Sequence, residues 1–257
     1  MLSLMVKNSS NLYKTLLLSS LYYCRIGVLP ICIFLFLQGC SDTPSTPKEH
    51  IAQGDQLLES GNAAEAVAAY RMALHQDTLN PTILARLSKA YRAQKKPVAA
   101  DRFLRKAMNI PYEEGISALL AGNDSAAIAA FERTLDIFPR HPLALNKLGD
   151  IFLARDQADK ALIHYEKSTE ANPKFANTWV KLGRLYATKK MIDKSKSAYL
   201  KAIDRNINSY RSYLGLGQIY LEEQLWMDAA EQFDKALLID PQSTAARAGI
   251  NEARSHF

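Results

Sequence analysis

The sequence predicts an all-α chain, an α-solenoid of about six helix–turn–helix repeats closed by a C-terminal capping helix. Three observations carry this. ALNKLGDIFLARDQADKALIHYEKSTEANP (144–173), TWVKLGRLYATKKMIDKSKSAYLKAIDRNI (178–207) and SYLGLGQIYLEEQLWMDAAEQFDKALLIDP (212–241) register with a spacing of 34 residues. Small residues recur at fixed columns of that period, and large apolar residues recur between them. A period of this length marks a stacked repeat rather than a single globular core.

With position 1 at residues 47, 81, 108, 142, 176 and 210, six copies align. Position 8 holds Gly54, Ser88, Gly115, Gly149, Gly183 and Gly217. Position 20 holds Ala66, Ala100, Ala127, Ala161, Ser195 and Ala229, and position 27 holds Ala73, Ala107, Thr134, Ser168, Ala202 and Ala236. Position 24 is Tyr70, Leu104, Phe131, Tyr165, Tyr199 and Phe233; position 11 is mostly aromatic as well. Antiparallel helices approach closely only where side chains are small. Position 8 of the first helix is therefore expected to meet position 20 of the second, and position 27 to face the next first helix. Glycine inside a helix costs about 1 kcal/mol against alanine, so tight packing must outweigh that cost at position 8. No unit buries its apolar face alone, so stacking is required.

One spacing is irregular. The third repeat begins 27 residues after the second, a loss of seven, or about two helical turns. Asn109–Tyr112 is expected to join a shortened helix pair, with Pro111 near a first turn, where proline is tolerated. A local break and bending between residues 47–108 and 109–257 would follow. Residues 244–254, TAARAGINEAR, read as an amphipathic capping helix. The chain thus divides into a signal segment (1–39), Cys40 with a polar tether (40–46), six repeats (47–243), and a cap with tail (244–257).

Leucine at position 7 (Leu87, Leu148, Leu182, Leu216) and proline at position 32 (Pro139, Pro173, Pro241) complete a pattern that resembles the tetratricopeptide repeat. The resemblance implies a right-handed solenoid and a concave groove lined by the first helices, with ligand contacts at positions 2, 5, 6, 9 and 12. In the last three repeats these positions include Asn146, Lys147, Asp150, Asn177, Lys181, Arg184, Arg211 and Gln218; the second repeat adds a basic patch of Arg86, Lys89 and Arg92. As a set they are cationic, which suits an acidic or carboxylate-ended protein segment. Chaperone-binding members clamp a carboxylate with lysine and asparagine at positions 5 and 9, asparagine at position 6 of the next repeat, then lysine and arginine at 2 and 6. Here Asn146, Asp150, Lys181, Arg211 and Gly215 stand at those places, and only Arg211 matches in kind. Binding of that chaperone tail is not implied.

Reactive groups are not assembled in the sequence. There is no G-x-S-x-G, no H-E-x-x-H and no P-loop, and the five histidines are dispersed. Gly215-Leu-Gly217 falls inside a predicted helix and follows no strand, so repeat packing explains it better than a dinucleotide site. Trp179 and Trp226 occupy repeat positions where aromatics pack. The expectation is a non-enzyme without metal, cofactor or small-molecule substrate.

The amino terminus sets the expected location. Residues 1–40 carry Lys7, Lys14 and Arg25 and no acid, then an apolar run from Ile26 to Leu37, then LFLQGC. Twelve helical residues cover only about 18 Å, too short for a bilayer core of about 30 Å. This is the secretory pattern. LFLQGC resembles the bacterial lipoprotein signal, which implies cleavage before Cys40, acylation of Cys40 with palmitate-type chains, and anchoring. A stable anchor takes more than one acyl chain, and one lipidated cysteine supplies them. The bland alternative is an uncleaved signal anchor with Cys40 a bystander; Met5 is an alternative start. Ser41 rather than aspartate after the cysteine favours, by the same resemblance, the periplasmic face of the outer membrane. Cys24 and Cys32 leave with the signal, so a mature chain has no disulfide of its own. The whole chain is +6, but the chain from Ser41 onward is only +3.

The reading is a membrane-anchored interaction scaffold of the cell envelope, resembling lipoproteins that assist pilus or secretin assembly or that regulate cell-wall hydrolases. A non-binding spacer is the rival within the fold. The envelope location argues against nucleic acid as the partner of the basic block from Arg86 to Lys106, leaving anionic lipid head groups or an acidic protein.

Overall fold

The computed structural model describes residues 46–256. The signal segment, Cys40 and most of the tether lie outside the described residues. Among the described residues, twelve helices follow in order: α1 (Pro47–Glu59), α2 (Ala63–Gln76), α3 (Pro81–Ala93), α4 (Pro97–Leu120), α5 (Asp124–Ile137), α6 (Pro142–Ala154), α7 (Ala158–Ala171), α8 (Ala176–Thr188), α9 (Ile192–Arg205), α10 (Tyr210–Glu222), α11 (Trp226–Ile239) and α12 (Thr244–Arg254).

Helix starts follow local chemistry. Pro47, Pro81, Pro97 and Pro142 occupy first turns, where the missing N–H costs nothing. Thr46 and Glu49 form a capping box at α1, Asn80 accepts from Thr82 and Ile83 N–H, and Ser243 caps α12. The turn inside every repeat carries a positive φ at position 15: Gly61, Lys95, Gly122, Asp156, Lys190 and Gln224. Only two of the six are glycine, so four turns hold a side chain in the left-handed region.

The packing differs from expectation at position 8. Each glycine there lies under the position-24 ring of its own repeat: a Cβ on Gly54, Gly149 or Gly217 would sit 2.5–2.7 Å from Tyr70, Tyr165 or Phe233. The glycine makes room for a ring laid flat on the helix, not chiefly for the small residue at position 20. Position 20 still touches the same backbone, since Ser195 Oγ donates to Gly183 O at 2.7 Å. Position 27 also reaches the first helix of its own repeat at one site, where Ser168 Oγ donates to Pro142 O. Gly215 and Gly249, at position 6 of their units, lie against the opposite edges of Tyr199 and Phe233. One ring is thus clamped between consecutive first helices, and Gly215-Leu-Gly217 is packing, as its helical setting suggests.

The expected joint at Asn109–Tyr112 is overturned. α4 runs unbroken for 24 residues with Pro111 inside it and fully buried. Elsewhere four residues separate a second helix from the next first helix, as in Asp77–Asn80 and Phe138–His141. A loss of seven removes such a turn and three helical residues. The second helix of repeat 2 and the first helix of repeat 3 therefore fuse, and the chain passes on without reversing. Pro111 forgoes the bond to the Ala107 carbonyl. The repeat register survives the fusion, because Gly115 still meets Phe131.

Consecutive first helices pack on one another, α8 on α10 and α10 on α12. They form the inner layer that carries the candidate site.

Candidate partner-binding site

The eight groove residues named from the sequence separate into three groups. Asn146, Asp150 and Lys181 are tied together. Lys181 Nζ lies 2.6 and 2.9 Å from the Asp150 carboxylate and 2.7 Å from Asn146 Oδ1. Tyr165 donates its hydroxyl to the same Asp150 at 2.6 Å, and Asn146 Nδ2 donates to buried Thr178 at 2.6 Å. Burial first, then the bond to Asp150, pushes the Tyr165 hydroxyl far above its ordinary value. The network is an inter-repeat strut. Lys181 is consequently not the free cation that the sequence suggested, and the groove is less positive than the residue list implies.

The second group is Asn177 and Arg211. With Ala176, Val180, Asn206, Ser209 and Tyr210 they line a hollow of about 380 Å³ at the starts of α8 and α10. The third is Lys147, Arg184 and Gln218, with no ion pair among the described residues. Arg184 lies close enough to Tyr199 for its charge to oppose the burial that raises that hydroxyl to about 12.

The same strut recurs at the amino-terminal end. Tyr70 donates to Asp55 at 2.7 Å, and Arg86 Nε closes on that carboxylate at 2.9 Å. The repeat rule is position 24 tyrosine, position 9 aspartate, and a cation at position 6 of the next repeat. Arg86 and Lys89 share a hollow of about 540 Å³ with Asp55, Glu59 and Tyr70, closed on one side by Asp136 and Ile137 of α5. Arg92 leaves this pair and meets Asp101 of α4 at 3.3 Å. The basic patch of Arg86, Lys89 and Arg92 is therefore divided, and its inner part faces three acids. Sequence reasoning missed Asp55, Glu59 and Asp136. Asp55 was legible, since it repeats Asp150 at position 9. Asp136 was not, because it sits on a second helix brought round by the fused α4.

The tryptophans are structural contacts. Trp179 Nε1 donates to Pro173 O at 2.9 Å under Lys201. Trp226 stacks on His256 with ring centroids 3.9 Å apart. Among the described residues no three His, Cys, Asp or Glu side chains gather to hold a metal ion, and no helix is long and apolar enough to cross a membrane.

Such an arrangement, rows of first helices presenting side chains over an inner surface, defines a repeat scaffold for proteins. Family models of the tetratricopeptide repeat match residues 112–175 and 176–206. Residues 112–206 are therefore tetratricopeptide repeats, and repeats of this kind imply a protein–protein interaction scaffold, typically without catalysis. A search of curated proteins finds no match. Among solved structures, the APC/C hetero-tetramer Cut9–Hcn1 aligns at 19% identity over 82% of this chain with a TM-score of 0.50. The chain spans 43% of that protein's length. PilF of Pseudomonas aeruginosa aligns at 18% identity over 82% of this chain and 97% of its own, with a TM-score of 0.49. MamA aligns at 24% identity over 74% of this chain and 95% of its own, with a TM-score of 0.45. These likenesses are of fold.

Proposed function

We propose that the protein is an envelope adaptor. Its acyl chains on Cys40 hold it to the periplasmic face of the outer membrane, and the inner surface of repeats 4–6 holds an acidic or extended segment of a partner protein. The partner belongs to a pilus, secretin or wall-hydrolase assembly. The observation that carries the binding reading is the split of the groove residues. Asn146, Asp150 and Lys181 are consumed by the strut, while Lys147, Arg184 and Arg211 make no ion pair among the described residues, and Arg211 shares its hollow with Asn177. Guanidinium and ammonium groups of this kind recognise carboxylates. The location rests on the basic lead, the apolar run and LFLQGC.

The test is crosslinking of the full chain in intact cells, followed by mass spectrometry of captured partners and of the amino-terminal peptide. An envelope partner with an acylated Cys40 peptide supports the reading. An unmodified Cys40 together with cytosolic partners overturns it.

A further inference from the structure

We propose that the outer face of the second repeat is a second interaction surface that lies on an anionic lipid surface. The proposal rests on the membrane-anchored reading above, and it names a contact distinct from the groove.

Charge is concentrated there. Residues 81–112 hold eight bases and one acid, net +7, whereas the chain from Ser41 onward totals only +3. The rest of that chain is therefore net negative. The structure removes three of the eight bases from consideration. Arg86 pairs with Asp55, Arg92 pairs with the single acid Asp101, and Lys89 faces the inner hollow. Lys95, Lys96, Arg102, Arg105 and Lys106 remain, all exposed and without an ion pair among the described residues. Arg102, Arg105 and Lys106 stand at i, i+3 and i+4 on one face of α4. Lys95 and Lys96 sit on the turn that leads into it, with Lys95 in the left-handed region at φ 58°.

The surface also offers apolar area. Val98 is 82% exposed, and it shares a shallow hollow with Lys96, Pro97, Ala99 and Arg102. A valine flanked by the cations Lys96 and Arg102 matches the headgroup boundary of a bilayer, where an apolar side chain meets the acyl region and cations meet phosphates.

Shape and connectivity select the occupant. The five cations lie on the second-helix half of α4 and on the turn before it, and the hollow at Val98 is shallow. An array of phosphates in a plane fits such a surface. Forty-five residues precede the described part, including the apolar run to Leu37, and they enter the fold at Thr46, one repeat away. Nine residues from Leu37 to Thr46 span at most about 30 Å, whether the anchor is an acylated Cys40 or the apolar run itself.

The experiment is lysine footprinting by an amine-reactive acetylating agent, read by mass spectrometry on the full chain incorporated into lipid nanodiscs. One set is neutral phosphatidylcholine and the other contains phosphatidylglycerol. Lys95, Lys96 and Lys106 should label roughly fivefold more slowly in the anionic discs at low salt, and the difference should vanish in concentrated salt as screening shortens below about 8 Å. Lys167 and Lys174 should label alike in both. Arg102→Glu/Arg105→Glu/Lys106→Glu, at exposed positions, should restore the labelling of Lys95 and Lys96.

Equal labelling in the two discs overturns the proposal. So does protection that appears without discs and grows with protein concentration, which would assign the surface to a second copy. Protection brought only by added nucleic acid overturns it as well. Retention of the chain by neutral discs in concentrated salt reports the anchor separately, so loss of the anchor and loss of this contact are distinguishable.

Discussion

Lys181 reaches back one repeat to Asp150, with its Nζ 2.6 Å from one carboxylate oxygen and 2.9 Å from the other. Tyr165 and Asn146 complete the network. Side-chain exposures of 21% and 37% leave water partly able to screen the pair. Lys181→Ala should therefore destabilise the fold by about 1 kcal/mol, chiefly by stranding the carboxylate. Lys147→Ala, Arg184→Ala and Arg211→Ala should each stay within about 0.5 kcal/mol of wild type. Urea denaturation of the four variants checks this. A neutral Lys181→Ala would show that the strut carries no stability.

The ring over position 8 predicts an inverted helix-propensity result. Alanine is the better helix former, yet a Cβ at Gly149 would stand 2.5 Å from Cε1 of Tyr165. Gly149→Ala should cost about 2 kcal/mol, as overpacking of a closed core does. Gly149→Ala with Tyr165→Leu should recover part of the loss, read as a double-mutant cycle by chemical denaturation.

Four turns keep a non-glycine residue at positive φ, among them Lys190 at 57° and Gln224 at 61°. Both side chains are exposed or free of core contacts. Lys190→Gly and Gln224→Gly should each stabilise the chain by about 0.5–1 kcal/mol, the left-handed strain outweighing glycine's extra chain entropy. Thermal melts of the single and double variants test it.

His141 caps α6, its Nδ1 accepting the Ala144 N–H at 3.1 Å while packed against Tyr112 and Phe138. Burial lowers its pKa below the ordinary 6.5. Protonation ends the acceptor role and charges a buried ring. The sign follows: the contribution is fully present above 6.5 and is lost as pH falls below it towards the folded-state value. His164, stacked on Phe152 with its Nδ1 buried and unbonded, is shifted the same way by burial and then by Lys167. Stability measured from pH 7.5 to 5 should fall, and His141→Asn, which retains a cap, should flatten part of that slope.

Much of the fold was legible because repetition amplifies weak signals. The glycine column, Pro139, Pro173 and Pro241 locate the helix pairs without any single decisive residue. What was not legible is which neighbour a small residue makes room for. Gly54 and Ala66 are both small, and only the packed structure distinguishes the former as the one beneath Tyr70. A length count reveals seven missing residues but does not say whether the helices around Pro111 break or fuse. Helical hydrogen bonds on both sides of the proline decided for fusion. The groove residues were identified by column, yet pairing across columns, Lys181 with Asp150 and Arg86 with Asp55, is a relation between repeats that a single column conceals.

The central claim is that the inner surface of repeats 4–6 receives a partner. The most direct measurement places a photoreactive amino acid at Arg184 on the inner layer, and separately at Lys167 on the second helix α7, in the full chain in intact cells. The account predicts a discrete envelope-protein crosslink from position 184 that is weakened by Lys147→Glu/Arg211→Glu at unchanged Tm, and none from position 167. Identical crosslinks from both positions, or capture from 184 indifferent to the charge reversals, would contradict it.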